Sequence, residues 1–170
     1  MADYTVTGGK VVVRATSSLH DTVTTWARVA GEIRADPDRL ADPGGAAVTV
    51  AVDMTDLSAG DFLRNRKLKK DLDVAAHPEA TFRLARVVEV TRDERTGAFE
   101  ARAEGTLAWR GREVTLEVTG TGTIDDRHVD AQAAFSLDVT TLGVKPPRFL
   151  MLKVAEVVAV TVEIRATMRS

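Results

Sequence analysis

From Phe99 to Val139 apolar and polar residues alternate with a period of two through three consecutive segments. A chain patterned this way can bury only one face of each segment. In the first, one parity reads Phe99, Ala101, Ala103, Gly105, Leu107 and Trp109, against Glu100, Arg102, Glu104, Thr106 and Ala108. After a tight turn at Arg110-Gly111-Arg112 the apolar parity is Val114, Leu116, Val118, Gly120, Gly122 and Ile124. Past Asp125-Asp126-Arg127 it is Val129, Ala131, Ala133, Phe135, Leu137 and Val139. A single layer cannot hide such a face, so the sheet must close on itself or pack on another. Strands of about 11 residues reach roughly 35 Å, long for a sandwich and natural for a tall barrel.

The rest of the chain adds strands to this sheet. Val158 to Met168 alternates with Val160, Val162, Ile164 and Ala166 inward. Lys10 to Thr16 predicts a short strand, Val48 to Met54 a third and Ala80 to Val90 a fourth, its hairpin closed by Arg92 to Gly97. Between Thr22 and Ala35, Val23, Ala27, Val29 and Ile33 share one parity and Trp26 falls on the other. Either Trp26 faces outward or a bulge near Ala27-Arg28 shifts the register. Asp36 to Gly45 is a loop, and Ser58-Ala59-Gly60-Asp61 opens a helix over Leu63 to Leu72. A second long connection, Thr140 to Ala155, contains Pro146-Pro147. The expectation is one all-β domain over residues 1–170, an antiparallel eight-stranded β-barrel with one inserted helix.

Eight strands enclose a space that side chains can just fill, or that holds one ligand. The apolar parity is unusually small at Ala101, Ala103, Gly105, Gly120, Gly122, Ala131 and Ala133. Small residues leave room inside, or they permit sharp coiling and close strand approach with no cavity. In the open reading the wall comprises Phe82, Leu84, Ala101, Ala103, Gly105, Leu107, Trp109, Leu116, Val118, Gly120, Ala133, Phe135 and Leu137. In the closed reading the barrel is packed and serves as a structural or protein-interaction module without a ligand.

Charge and composition exclude several functions. The 23 Lys and Arg against 25 Asp and Glu give a net charge of −2, which argues against a nucleic-acid partner. There is no cysteine, so thiol nucleophiles, disulfides and thiolate metal sites are ruled out. The three histidines, His20, His77 and His128, share no metal-ligand spacing, and no metal or cofactor is expected. His20-Asp21 has the form of an oriented imidazole but no nucleophile motif accompanies it; a loop-end histidine is the plainer reading. Gly8-Gly9-Lys10 lacks the rest of a phosphate loop. The chain reads as binding without catalysis. Its start has no basic and apolar leader. That predicts a cytoplasmic protein as numbered, or a periplasmic or extracellular one if the mature start is what the sequence shows.

At this point the sequence resembles the YceI-like proteins, also called polyisoprenoid-binding or lipid-binding YceI domains. Ser18-Leu19-His20 with Val29-Ala30-Gly31-Glu32-Ile33 resembles the family's early histidine and the strand that follows it. Leu57 with the helix after it, and His77-Pro78-Glu79-Ala80-Thr81-Phe82, resemble its loop helix and an aromatic-Pro-x-Ile-x-Phe stretch. Gly105 to Gly111 is similar to its Gly-x-Leu hairpin, and Phe135 to Val144 to its late strand. Pro146-Pro147 and the apolar segment beyond resemble one branch of the family. His77 stands where an aromatic is usual and Ala80 where Ile is usual. The resemblance implies an extended, lipocalin-like barrel that holds a long isoprenoid chain, a polyprenyl or an isoprenoid quinone, as carrier, store or sensor.

Two further segments carry functional weight. Arg64-Asn65-Arg66-Lys67-Leu68-Lys69-Lys70 sets five cations beside Phe62, Leu63, Leu68 and Leu72. The plain reading is a solvated face partly neutralised by Asp61, Asp71 and Asp73. The functional one is a portal helix whose apolar side meets the ligand tail, while Arg64, Arg66 and Lys67, with His20 and Arg148, meet a head group or an anionic membrane surface. Lys145 to Lys153 brackets the apolar run Phe149, Leu150, Met151 and Leu152, which must be covered. It plugs one barrel end, lines the mouth through Phe149 and Met151, or joins two copies, so the chain is expected as monomer or homodimer.

Overall fold

A computed structural model describes residues 1–16, 21–144, 148–149, 152–153 and 156–169. The strands are β1 (Ala2–Ala15), β2 (Thr22–Trp26), β3 (Val29–Ala35), β4 (Ala46–Asp53), β5 (Leu57–Ser58), β6 (Glu79–Arg92), β7 (Ala98–Trp109), β8 (Arg112–Ile124), β9 (His128–Asp138), β10 (Arg148–Phe149), β11 (Leu152–Lys153) and β12 (Val157–Met168). The helix α1 spans Phe62–Asp71. Each long strand pairs antiparallel with its neighbours in chain order, and β12 returns to pair with β1 from Tyr4↔Met168 to Arg14↔Ala159. The result is the expected all-β, eight-stranded closed barrel, in which β2 and β3 act as two halves of one strand against β1. β10 and β11 pair antiparallel in a separate two-stranded sheet.

β7, β8, β9 and β12 bury the parity read from the sequence. Departures elsewhere have local causes. The first strand begins at Ala2, not Lys10. Its inward positions run Tyr4, Val6 and then Val11, Val13 and Ala15, because a register shift between Val6 and Gly8 flips the parity. A Cβ on Gly9 would sit 2.3 Å from the Glu163 carbonyl oxygen, so the Gly8-Gly9 pair belongs to this close strand approach. β6 carries two more shifts, between Leu84 and Arg86 and between Val87 and Glu89, which stretch the inward spacing to Leu84, Val87, Val90. Trp26 faces inward at 5% exposure. The strand is interrupted at Ala27-Arg28, and its two pieces keep one register against β1 (Val11↔Trp26, Thr5↔Glu32), so the parity changes at a break and not at the bulge the sequence suggested. There the Ala27 N–H donates to the Asp56 carboxylate (3.0 Å) and the Arg28 carbonyl accepts from Asp53 N–H (3.0 Å).

The two ends differ. At one end the connections are the 36–45 loop and the tight hairpins around Asp93–Gly97 and Asp125–His128. The Asp125 carboxylate accepts the Arg127 and His128 N–H groups (2.7 Å each), which holds its pKa below the usual carboxylate range. Beneath this end Tyr4, Val6, Ile33, Ala35, Ile124, Val129 and Ala166 form a closed core. The other end receives α1 and the η-turn Val139–Leu142.

Tyr4 is 1% exposed and its hydroxyl donates to the Asp125 carbonyl. Burial first, then the Asp125 and Asp126 charges, push its pKa up. The folded chain therefore keeps the phenolic proton where the unfolded chain, at about pH 10, releases it, and stability falls as pH rises beyond that point. Tyr4→Phe is expected to lower stability at neutral pH by about 1 kcal/mol and to flatten the alkaline decline. Thermal melts from pH 7 to about pH 11 check both, since the decline is set by a phenol of ordinary pKa about 10.

Candidate functional site

The inward faces do not meet. They leave a cavity of about 920 Å³ that runs from Ile124, Val129 and Ile33 at the closed end to Leu63 and Trp26 at the other. Its width comes from small residues in register: Ala101 pairs with Gly120, and Gly120 with Ala133. A Cβ on Gly120 would find only the Gln132 carbonyl, at 3.8 Å. Among the described residues, the polar side chains on the wall are Thr22, Thr24, Asp61, Arg64, Lys67 and Asp71. All lie at the end that carries α1. The tunnel is thus apolar along its length and charged at one mouth.

The mouth is built by the connection between β4 and β6. Both tryptophans pin it. Trp26 Nε1 donates to the Met54 carbonyl (3.2 Å) where the connection begins, and Trp109 Nε1 donates to the His77 carbonyl (2.9 Å) where it ends. Between them Asp61 caps α1 by accepting the Arg64 N–H (2.9 Å), and the Asn65 side chain accepts the Ala59 N–H. At the far end of the helix Arg110 donates to the Leu72 carbonyl, an acceptor left over by the helix end. Arg110 (φ 55°) and Gly111 (φ 71°) form the two-residue turn between β7 and β8 that carries this guanidinium beside Trp109. The helix buries none of its residues fully; Leu68 and Leu72 are half-buried over the cavity. Two ion pairs rim it, Arg64–Asp61 (3.4 Å) and Lys67–Asp71 (3.0 Å).

Of the wall residues expected from the sequence, Leu63, Leu68, Leu72, Phe82, Leu84, Ala101, Ala103, Leu107, Trp109, Val118, Ala133, Phe135 and Leu137 line the cavity, as do Arg64 and Lys67 from the charged set. Four others do not. Phe62 is 74% exposed on the outer side of the helix. Leu116 is buried at 5% exposure in the core cluster and does not line the cavity, although neighbours such as Val118 and Leu137 do. Gly105 lies under the Phe82 ring, whose Cζ would be 2.2 Å from an added Cβ, so an aromatic fills the space its small size leaves. Gly120 does not itself touch the cavity, although the space above it is open. Arg66 projects away from the cavity with Phe62. His20 and Met151 lie outside the described residues, as do the side chains of Arg148 and Phe149.

Sequence reasoning missed Val11 and Val13, in the short strand to which it assigned no inward face, and Asp61 and Asp71, which it treated as a helix start and as neutralisers. Among the described residues no cluster of histidine and carboxylates could hold a metal ion.

A family model for the YceI-like domain matches residues 4–166. The chain belongs to the YceI-like family. Its fold agrees with that of several solved structures. The BcnA protein of Burkholderia cenocepacia superposes with a TM-score of 0.74 at 18% identity, covering 94% of this chain and 96% of that one. A polyisoprenoid-binding domain from Saccharophagus degradans, described as implicated in plant cell wall breakdown, gives 0.76 at 10% identity, covering 99% and 100%. A YceI protein of Campylobacter jejuni gives 0.61 at 12% identity, covering 86% and 85%. No curated protein matched the sequence significantly. At these identities the YceI likeness to solved structures speaks for the barrel alone, and the wall described above is this chain's own.

Two glycines that read alike in the sequence should therefore behave differently. Gly105→Ala forces the Phe82 ring aside and is expected to destabilise by about 1–3 kcal/mol. Gly120→Ala enters open space and should leave stability unchanged or slightly raised. Denaturant midpoints of the two variants, measured side by side, check the contrast.

Proposed function

We propose that the barrel binds a long, apolar isoprenoid-type lipid, a polyprenyl or an isoprenoid quinone, without chemical turnover, as carrier, store or sensor. The observation that carries this reading is the continuous apolar tunnel of about 920 Å³ with charged side chains confined to one mouth. Its volume is near the top of the range of about 300–1,000 Å³ for small-molecule pockets. At about 24 cal/mol per Å³, a dry void of this size would cost on the order of 20 kcal/mol, more than the roughly 5–15 kcal/mol that holds a domain folded. The space must be filled, and water gains few hydrogen bonds from a wall of valine, alanine and phenylalanine. A flexible hydrocarbon chain restores the missing contacts along the whole length. Membership of the YceI-like family, and the polyisoprenoid-binding description of a protein with this fold, support the same ligand class. The open interior favours this reading over the packed, ligand-free module considered from the sequence.

At the mouth, Arg64 and Lys67 stand beside Asp61 and Asp71, so a polar head group would meet donors and acceptors together. This suits a neutral hydrogen-bonding head, such as a quinone ring or an alcohol, as readily as an anionic one.

The test is mass spectrometry of an organic extract of the purified protein, where a co-purifying isoprenoid lipid is expected. Ala103→Phe and Ala133→Phe each put a ring into the tunnel. They should abolish that signal while shifting the melting temperature of the lipid-free protein little. Unfolding by both would mean that the interior cannot take the added volume, and retention of lipid by both would place the ligand elsewhere.

A further inference from the structure

We infer that the outer face of α1 docks the barrel mouth onto an anionic lipid bilayer. At 3.6 residues per turn, Lys69, Phe62, Arg66 and Lys70 fall within an arc of about 100° on the helix, and Leu63 adjoins it. This arc faces away from the cavity: Phe62, Arg66, Lys69 and Lys70 do not line it, whereas Arg64, Lys67, Leu68, Asp71 and Leu72 on the opposite side do. The two faces also differ in how their charges are used. The cations on the cavity side, Arg64 and Lys67, are paired with Asp61 and Asp71. Among the described residues Arg66, Lys69 and Lys70 make no ion pair. Phe62 and Leu63 are 74% and 75% exposed, two large apolar side chains standing next to one another in the first turn.

An aromatic and an aliphatic side chain set among unpaired cations is the chemistry of a helix lying in a membrane interface. The apolar pair enters the acyl boundary while the cations meet lipid phosphates. The chain as a whole is at −2, so the attraction is local and orients the molecule with this end toward the surface. Leu63 belongs to both the exposed pair and the cavity wall, so docking would place the tunnel's opening at the depth where lipid tails begin. The docking stands on the helix alone; only its purpose, exchange of a lipid with the bilayer, rests on the proposed function.

The experiment is co-sedimentation of the full chain with phosphatidylcholine vesicles, with and without added phosphatidylglycerol. Binding is expected only with the anionic lipid, and should fade as the Debye length shrinks from about 10 Å at 0.1 M salt to about 3 Å at 1 M. Arg66→Gln, Lys69→Gln and Lys70→Gln together should weaken it on the order of 100-fold, at roughly fivefold per cation. Phe62→Ser should weaken it further, and both variants should keep their melting temperature and their extractable lipid, since none of these residues lines the cavity. Binding that is absent, indifferent to lipid charge and salt, or unchanged in both variants overturns the inference. Any of these outcomes with lipid still extracted from the protein leaves the lipid-binding reading intact. The salt series on the unmodified chain needs no variant to fold.

Discussion

The ladder between β1 and β12 is the constraint on which everything else depends. Strands of 11–14 residues with one apolar face would leave two long edges open to other chains. Ten paired positions between the first and last strands remove both edges at once. They also fix the circumference, so the inward side chains cannot collapse toward one another when they are too small to meet. The cavity is therefore set by closure together with side-chain size. A sandwich of the same strands would slide its sheets together over Ala101, Gly120 and Ala133, whereas a closed ring cannot.

Closure also separates two jobs. The end around Tyr4, Ile33 and Ile124 uses compact turns and a dense core, and it holds the ring together. The opposite end carries the longer connections and every polar side chain described on the cavity wall. Its helix rests on little buried surface, so it is held by specific hydrogen bonds instead: an aspartate cap, two indole N–H groups and one guanidinium on a helix-end carbonyl. Such a cap can be repositioned by changing a few donors without disturbing the barrel below it.

Sequence patterns carried the fold wherever the period of two ran unbroken. β7, β8, β9 and β12 could be read residue by residue, because each inward position differs in polarity from both its neighbours. The period fails at register shifts, since one extra residue exchanges the two faces. That is why the first eight residues of β1, with Tyr4 and Val6, did not announce themselves; Trp26 fell on the wrong parity because its strand is interrupted just after it. The site was legible in kind but not in detail. Small residues on one parity indicate room, yet they cannot tell whether a distant aromatic has taken it. Phe82 covers Gly105 and leaves the space above Gly120 open, and these two glycines are 15 positions apart on neighbouring strands. Likewise, a run of cations says nothing about which of them turn inward until the helix is docked.

The two tryptophans have a consequence apart from the clamp they form. They are the chain's only indoles, and both belong to the wall of the mouth. The protein thus carries both of its indole fluorophores at the mouth, with no indole elsewhere to contribute background. Exchange of water for hydrocarbon beside them changes the polarity each ring senses and leaves its hydrogen-bonded N–H in place. Emission from the unlabelled molecule is then a direct optical record of whether the tunnel is full.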